Sequence, residues 1–168
     1  MIRVFLPHQT LNDDQLVERL RLVLDNAATY NQRVIVALTD HYESVKFQHW
    51  STYLDPPNYD TYLYVNKWGT KTLNPNFYGG GYRTYYLPYV RRVCTTFKDH
   101  AAVFAWELTN EGGCLPPPDA NKDAFISFCA AMANEIRSVD PNHMVTAGII
   151  GTPVIELKNE NGNDEPGR

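Results

Sequence analysis

The sequence predicts a parallel α/β fold in which about four apolar strands alternate with helices. Three observations carry that prediction. Short runs rich in Val, Ile, Leu and Phe recur at 2–6, 33–38, 102–108 and 143–149. Segments with apolar residues three to four apart lie between them, and turn residues mark the boundaries. Strands this apolar, separated by helices, belong in a sheet with helical cover. Right-handed crossovers curl four such strands into an arc or an open twisted sheet, and pattern alone does not choose between the two.

The first strand is Ile2–Leu6, a run of four apolar residues broken by Arg3. A helix over about 12–30 follows, capped by Asn12 or Asp13, with apolar positions at Leu16, Val17, Leu20, Val23, Leu24 and Ala27. Residues 33–38 form the second strand. A long aromatic stretch then runs to about Gly81, with turn signals at Asp55-Pro56-Pro57-Asn58 and Gly79-Gly80-Gly81. A helix over about 84–98 leads to the third strand, 102–108. After the Pro116-Pro117-Pro118 loop comes a helix of about 120–138, stopped near Asp140-Pro141, and the fourth strand is 143–149. These elements make one domain, 1–155, and residues 156–168 read as a polar tail. There is no internal repeat.

Composition narrows the function classes. A net charge of −4, with no basic run longer than Arg91-Arg92, argues against nucleic acid as a partner. The three cysteines lack metal-type spacing, as do His8, His49, His100 and His143, so neither a metal nor a cofactor is expected. An odd cysteine count favours reduced thiols. No run reaches membrane-spanning length and no signal peptide is visible, so the chain as written reads as soluble and cytoplasmic. Of 21 aromatic residues, 13 fall between Phe47 and Tyr89, which suits either core packing under a long loop, an oligomer interface, or rings that stack on a sugar.

The sharpest chemical feature is Phe104-Ala-Trp-Glu-Leu-Thr-Asn110-Glu111-Gly-Gly, an apolar strand ending in Asn-Glu and entering a glycine loop. In parallel α/β architectures reactive groups sit where strands end at their carboxyl edge. A glutamate on such a tip is rigidly placed to donate a proton to the leaving oxygen of a glycosidic bond. Asn110 beside it suits a sugar hydroxyl. The segment between the first strand and helix, Pro-His-Gln-Thr-Leu-Asn, has no phosphate-cradling glycine loop, which disfavours a flavodoxin-like nucleotide binder.

The run VFAWELTNEGG resembles the fourth barrel strand of clan A glycoside hydrolases, especially the family-five cellulases and β-mannanases. YLPYVRRVCTTFKDHAAVFAWEL resembles their third helix leading into strand four. FCAAMANEIRSVDPNHMVTAGIIG resembles helix four and strand five, while MIRVFL and VIVALTDHY fit strands two and three. The resemblance implies a partial (half) TIM barrel carrying strands two to five of eight. It implies Glu111 as acid/base, Asn110 as hydroxyl-binding partner, and substrate-binding roles for Arg3, His41, Trp50 and Trp68. Arg3 has a second reading, neutralising Glu107 on the same face. The substrate class implied is a β-linked polysaccharide or oligosaccharide, cleaved by double displacement.

The family nucleophile stands on strand seven, and no glutamate in this chain matches its motif. The tail glutamates Glu156, Glu160 and Glu165 have no strand context. The chain is therefore expected to act as a cellulase- or mannanase-like glycosidase, or alternatively to be a catalytically inactive carbohydrate-binding or structural remnant. A part-barrel with open strand edges is also expected to be completed by self-association, as a homo-oligomer.

Overall fold

The computed structural model describes residues 1–6, 13–40, 63–65, 71–73, 75–84, 86–112 and 122–149. A four-stranded sheet in the order β1-β2-β5-β6 runs through it, with all three pairings parallel. Its strands are β1 (Ile2–Phe5), β2 (Val34–Ala37), β5 (Val103–Glu107) and β6 (Met144–Thr146). Between them stand α1 (Asp13–Thr29), α3 (Tyr86–Phe97) and α4 (Lys122–Val139). The alternation expected from the sequence is thus the one observed, and consecutive sheet strands lie side by side as in a barrel.

Period-two alternation splits each strand between two environments. Val34, Val36 and Leu38, with Trp106 and Leu108, face the helices and join Leu20, Leu24, Val90, Phe128 and Met132 in one buried cluster. Arg3 and Glu107, offset by one from those positions, meet on the opposite face. Helical spacing supplies the other half of the core: Leu16, Leu20 and Leu24 from α1, and Phe125, Phe128, Met132 and Ile136 from α4, are all buried. Helix α1 stops because Asn31 takes a left-handed φ of 51°, closing the last turn through Gln32 N–H to Ala27 O (2.8 Å) and Asn31 N–H to Ala28 O (3.0 Å). Asparagine tolerates that conformation better than most residues.

The aromatic stretch holds more structure than its turn signals suggested. An antiparallel hairpin, β3 (Leu63–Val65) with β4 (Lys71–Leu73), leads into a short helix α2 (Pro75–Gly79) and a 3-10 turn at Gly81–Arg83. Four rings are core: Phe77, Tyr78, Tyr82 and Tyr86 are buried and pack against Phe128, Tyr78 and Tyr82 edge to face and Phe77 and Tyr86 tilted, at centroid distances from 5.0 to 5.9 Å. Tyr86 then donates its hydroxyl to the carbonyl of Leu108, tying the start of α3 to the carboxyl end of β5. Burial holds the Tyr86 phenol well above its ordinary pKa.

The edge opposite the strand tips is fixed by a buried acid. Asp140, fully buried, accepts from Trp106 Nε1 (2.6 Å), from the backbone N–H of Asn142 (2.9 Å) and His143 (3.3 Å), and pairs with His143 Nδ1 (2.7 Å). Asn142 donates on to Lys98 O and Asp99 Oδ1. The Asp-Pro-Asn-His turn thereby ties α4, the start of β6 and the loop before β5 into one unit. Cys94 and Cys129 are free thiols, and burial raises both, Cys129 to about 11. Among the described residues no helix is long and apolar enough to cross a membrane. None of their His, Cys, Asp and Glu side chains group in threes as a metal site would need.

Candidate active site

The carboxyl ends of β1, β2, β5 and β6 converge on the segment 108–112. Beyond the regular strands, the backbone of Asn110 donates to Thr39 O (2.8 Å) and bridges to Asp40, while Gly112 donates to Gly148 O (3.2 Å) and bridges to Ile149. Glu111 lies between these two ties, with φ at 52°. A glutamate in the left-handed region costs about 1 kcal/mol or more, and it persists only where neighbours over-determine the backbone. Here the neighbours are the tip of β2 on one side and the tip of β6 on the other.

Two glycines make this crossing of backbones feasible. A Cβ on Gly148, whose φ is +69°, would stand 2.0 Å from Thr109 O and 2.6 Å from the Glu107 carboxylate. A Cβ on Gly112 would stand 2.3 Å from Thr109 Cγ2. At Gly148 a larger residue would force the backbone of Thr109 away, and at Gly112 it would displace the Thr109 and Phe125 side chains.

Side chains from three strands then form a single chain of hydrogen bonds. Arg3 Nε donates to Glu107 Oε2 at 2.9 Å, and Nη2 bonds both Glu107 Oε1 and Asn110 Oδ1, the latter at 2.8 Å. Asn110 Nδ2 donates to Asp40 Oδ1 at 2.9 Å. Glu107 is 4% exposed and Asp40 7%, so both carboxylates are withdrawn from bulk water. The hydrogen bond to Glu107 holds the Arg3 guanidinium above its ordinary pKa; burial opposes this, and the charges of Glu107, Glu111 and Asp40 add to it. One cation therefore stands among three carboxylates.

The three acids differ in what they are free to do. Glu107 is held by Arg3 and Asp40 by Asn110. Glu111, half-buried, makes no hydrogen bond or ion pair with the described residues. Thr39 Oγ1, also buried at this edge, has no partner among them either.

Of the residues expected from the sequence, Arg3, Asn110 and Glu111 come together here, and the Arg3–Glu107 pair is present. His41, Trp50 and Trp68 lie outside the described residues. Sequence reasoning passed over Asp40. The signal for it was available: Asp40 follows the second apolar strand directly, as Asn110 follows the third.

No family model matches the chain. Mannan endo-1,4-beta-mannosidase 8 of Oryza sativa subsp. japonica is 27% identical over 153 residues, covering 83% of this chain and 37% of that protein. Mannan endo-1,4-beta-mannosidase F of Aspergillus clavatus is 33% identical over 97 residues, 51% of this chain and 22% of the relative. Among solved structures, the hyperthermostable endo-1,4-beta-D-mannanase from Thermotoga petrophila RKU-1 aligns with a TM-score of 0.60 at 20% identity, over 82% of this chain and 36% of that one. Endo-glycoceramidase II from Rhodococcus sp. aligns at 0.54 and 19% identity, over 85% of this chain and 38% of that one. The chain spans little more than a third of the length of mannan endo-1,4-beta-mannosidase 8 and of mannan endo-1,4-beta-mannosidase 7 of the same organism, the Oryza sativa proteins it matches over 153 residues. Over the stretch it covers, the chain is a homologue of mannan endo-1,4-beta-mannosidases folded as part of a TIM barrel, and the resemblance to clan A, family-five glycoside hydrolases stands.

Proposed function

We propose that this chain carries the acid/base half of a glycoside-hydrolase site for β-1,4-linked mannan, with Glu111 as the proton donor. The observation that supports the reading is the division of labour among the three acids: Glu107 and Asp40 are occupied, and among the described residues at the strand tips Glu111 is the acid with an unclaimed carboxyl. A proton donor must be rigid on its backbone side and open on its carboxyl side. The strained, doubly tied backbone of Glu111 meets the first condition.

In the first step Glu111 gives its proton to the glycosidic oxygen as the bond to C1 breaks. A second carboxylate bonds to C1 in that step; Glu111, once charged, then takes a proton from the water that attacks C1 and displaces that carboxylate. Asn110 binds a hydroxyl of the sugar at the reacting centre. Arg3 holds Glu107 and orients Asn110, with His41, Trp50 and Trp68 as further sugar contacts. The second carboxylate must lie about 5–5.5 Å from Glu111 for a retaining reaction. Among the described residues Glu107 and Asp40 are occupied, so in this reading it comes from a tail glutamate, a second copy or a further strand. No cofactor or metal is called for. Residues 1–155 are the barrel portion in this reading and 156–168 its polar tail.

The sheet edges bear on assembly. Ile2 and Phe5 on β1, and Met144 and Ile149 at the β6 end, are 40–53% exposed, an unusual placing for large apolar side chains on strands. A homo-oligomer covers them, and light scattering on the 168-residue chain tests it: a clean monomer at micromolar concentration rejects self-association.

Reducing-sugar release from mannan, β-glucan and carboxymethyl-cellulose tests the main proposal. Turnover on mannan that falls at least about a hundredfold in Glu111→Gln is the expected result. Turnover unchanged in that variant would remove Glu111 from the chemistry. No turnover in either, with mannotetraose still bound, would leave a carbohydrate-binding role in place of hydrolysis.

A further inference from the structure

We propose that Asp40 is a positioning residue that sets the direction of the Asn110 amide, and so fixes where this site offers its hydrogen-bond donor to a sugar hydroxyl. The inference rests on the reading of the strand tips as a β-linked-sugar site.

The chemistry of the two neighbours permits one orientation of the amide. Asn110 Oδ1 faces the Arg3 guanidinium, which has only donors, and Nδ2 faces the Asp40 carboxylate, which when ionised only accepts. Turning the amide over would set donor against donor on one side and acceptor against acceptor on the other. Arg3 alone does not fix the amide, since rotation about the Cβ–Cγ bond remains soft when one end is held. Asp40 supplies the second point, and two points define the amide plane.

Backbone geometry supports the same role. Asp40 and Asn110 are bridged across β2 and β5 just past the regular strands, so their side chains leave adjacent points of one edge. Asp40 is 7% exposed, which keeps water from competing for the bond. With Oδ1 on Arg3 and one Nδ2 hydrogen on Asp40, the second Nδ2 hydrogen is left without a partner among the described residues. It lies in the amide plane, beside Glu111 in sequence, and is the donor for the ligand. The hydroxyl on C2 is axial in mannose and equatorial in glucose, so a donor of fixed direction discriminates where a swinging one would not.

The orienting claim is tested without any ligand or variant. In the doubly labelled native chain, a scalar coupling from Asn110 15Nδ2 to Asp40 13Cγ across the hydrogen bond is expected, and its absence overturns the proposal. Asp40→Asn keeps an acceptor oxygen and Asp40→Ala removes it. The Asn110 side-chain NH2 pair should stay well separated in proton shift and slow to exchange in Asp40→Asn, and collapse toward free-amide values in Asp40→Ala. Mannotetraose titrations then connect orientation to binding: affinity within about twofold of native in Asp40→Asn, and weaker by about tenfold in Asp40→Ala. An Asp40→Ala chain that folds and binds as well as native refutes the proposal. A native chain that shows the coupling yet binds no mannotetraose supports the orienting role and sinks the sugar-site reading instead, so the two failures are separable.

Discussion

Replacing Asp140 with alanine should cost this fold about 3 kcal/mol. The acid is fully buried and serves four donors: the Trp106 indole, two backbone N–H groups and the His143 ring. An indole N–H left unpaired in the core costs about 1–3 kcal/mol, and bonds to a charged acceptor contribute about 1.5–3 kcal/mol. The two turn N–H groups lie at a partly exposed turn and recover water, so they add little. Removing a buried charge also returns some desolvation free energy, which lowers the total. Against an ordinary stability of about 5–15 kcal/mol, a loss of about 3 kcal/mol is large.

The indole bond can be isolated by a double-mutant cycle. Trp106→Phe deletes the donor and leaves the acid its three other partners. The cycle with Asp140→Ala should return a coupling of about 1.5–3 kcal/mol. Asp140→Asn should fall between, because its one carbonyl cannot serve both the indole and the turn. Urea unfolding followed by far-UV circular dichroism at fixed protein concentration gives each value. A loss below about 1 kcal/mol in Asp140→Ala, or a coupling below about 0.5 kcal/mol, would refute the claim that this acid joins α4 to the sheet.

Other expectations are as direct. Arg3→Met leaves Glu107 unpaired and should cost about 2 kcal/mol, less than a fully buried pair because the Arg3 side chain is 40% exposed; adding Glu107→Gln should restore most of it in urea melts. Gly148→Ala forces a Cβ onto Thr109 O at a left-handed φ, and a loss of about 3 kcal/mol is expected, with under 1 kcal/mol counting against the close approach. Cys129 has a folded pKa raised from 9.0 to about 11, so its contribution to stability is whole below pH 9 and lost as pH climbs toward 11. Iodoacetamide at pH 8 should therefore label Cys94 and Cys129 only slowly until urea unfolds the chain, and rapid labelling of both in the native state would contradict their burial.

The sheet was legible in the sequence because its signal is local. Runs such as Val34–Leu38 and Val103–Trp106 are apolar on both alternating sets, as strands covered on both sides must be, and the 16-20-24 spacing of leucines in α1 can be read without any partner. The hairpin β3–β4 and helix α2 were missed for the opposite reason. Each is three to five residues long, too short for propensity to mark, and α2 is held by tertiary contacts such as Phe77 against Phe128. Glu111 and Asn110 were visible as a motif on a strand tip. Asp40 stood at the matching place after the second apolar strand, but its partner, 70 positions away, could not be read from that place alone. Arg3 was legible only as a charge interrupting an apolar run, with both its pairing and its site reading open; the structure joins these, since one guanidinium holds Glu107 and Asn110 together.

The two edges of the sheet divide stability from chemistry, and Glu111 is where the division can be measured. At the amino edge, Asp140 pairs with four donors, and the left-handed residue there, Asn31, is an asparagine, which tolerates that conformation better than glutamate does. At the carboxyl edge the fold tolerates a left-handed glutamate, a Thr39 hydroxyl with no partner among the described residues, and three acids around one cation. A site assembled for stability alone would put glycine at position 111, since glycine adopts φ near +52° without penalty. Glu111→Gly should accordingly raise stability by about 1 kcal/mol in urea melts while abolishing any turnover on mannan. Glu111→Ala retains the strained φ and loses the same carboxyl, so it should gain nothing. If both variants unfold at the same urea concentration as native, the backbone at 111 carries no strain, and its conformation ceases to be evidence that a carboxyl is being held in place for chemistry.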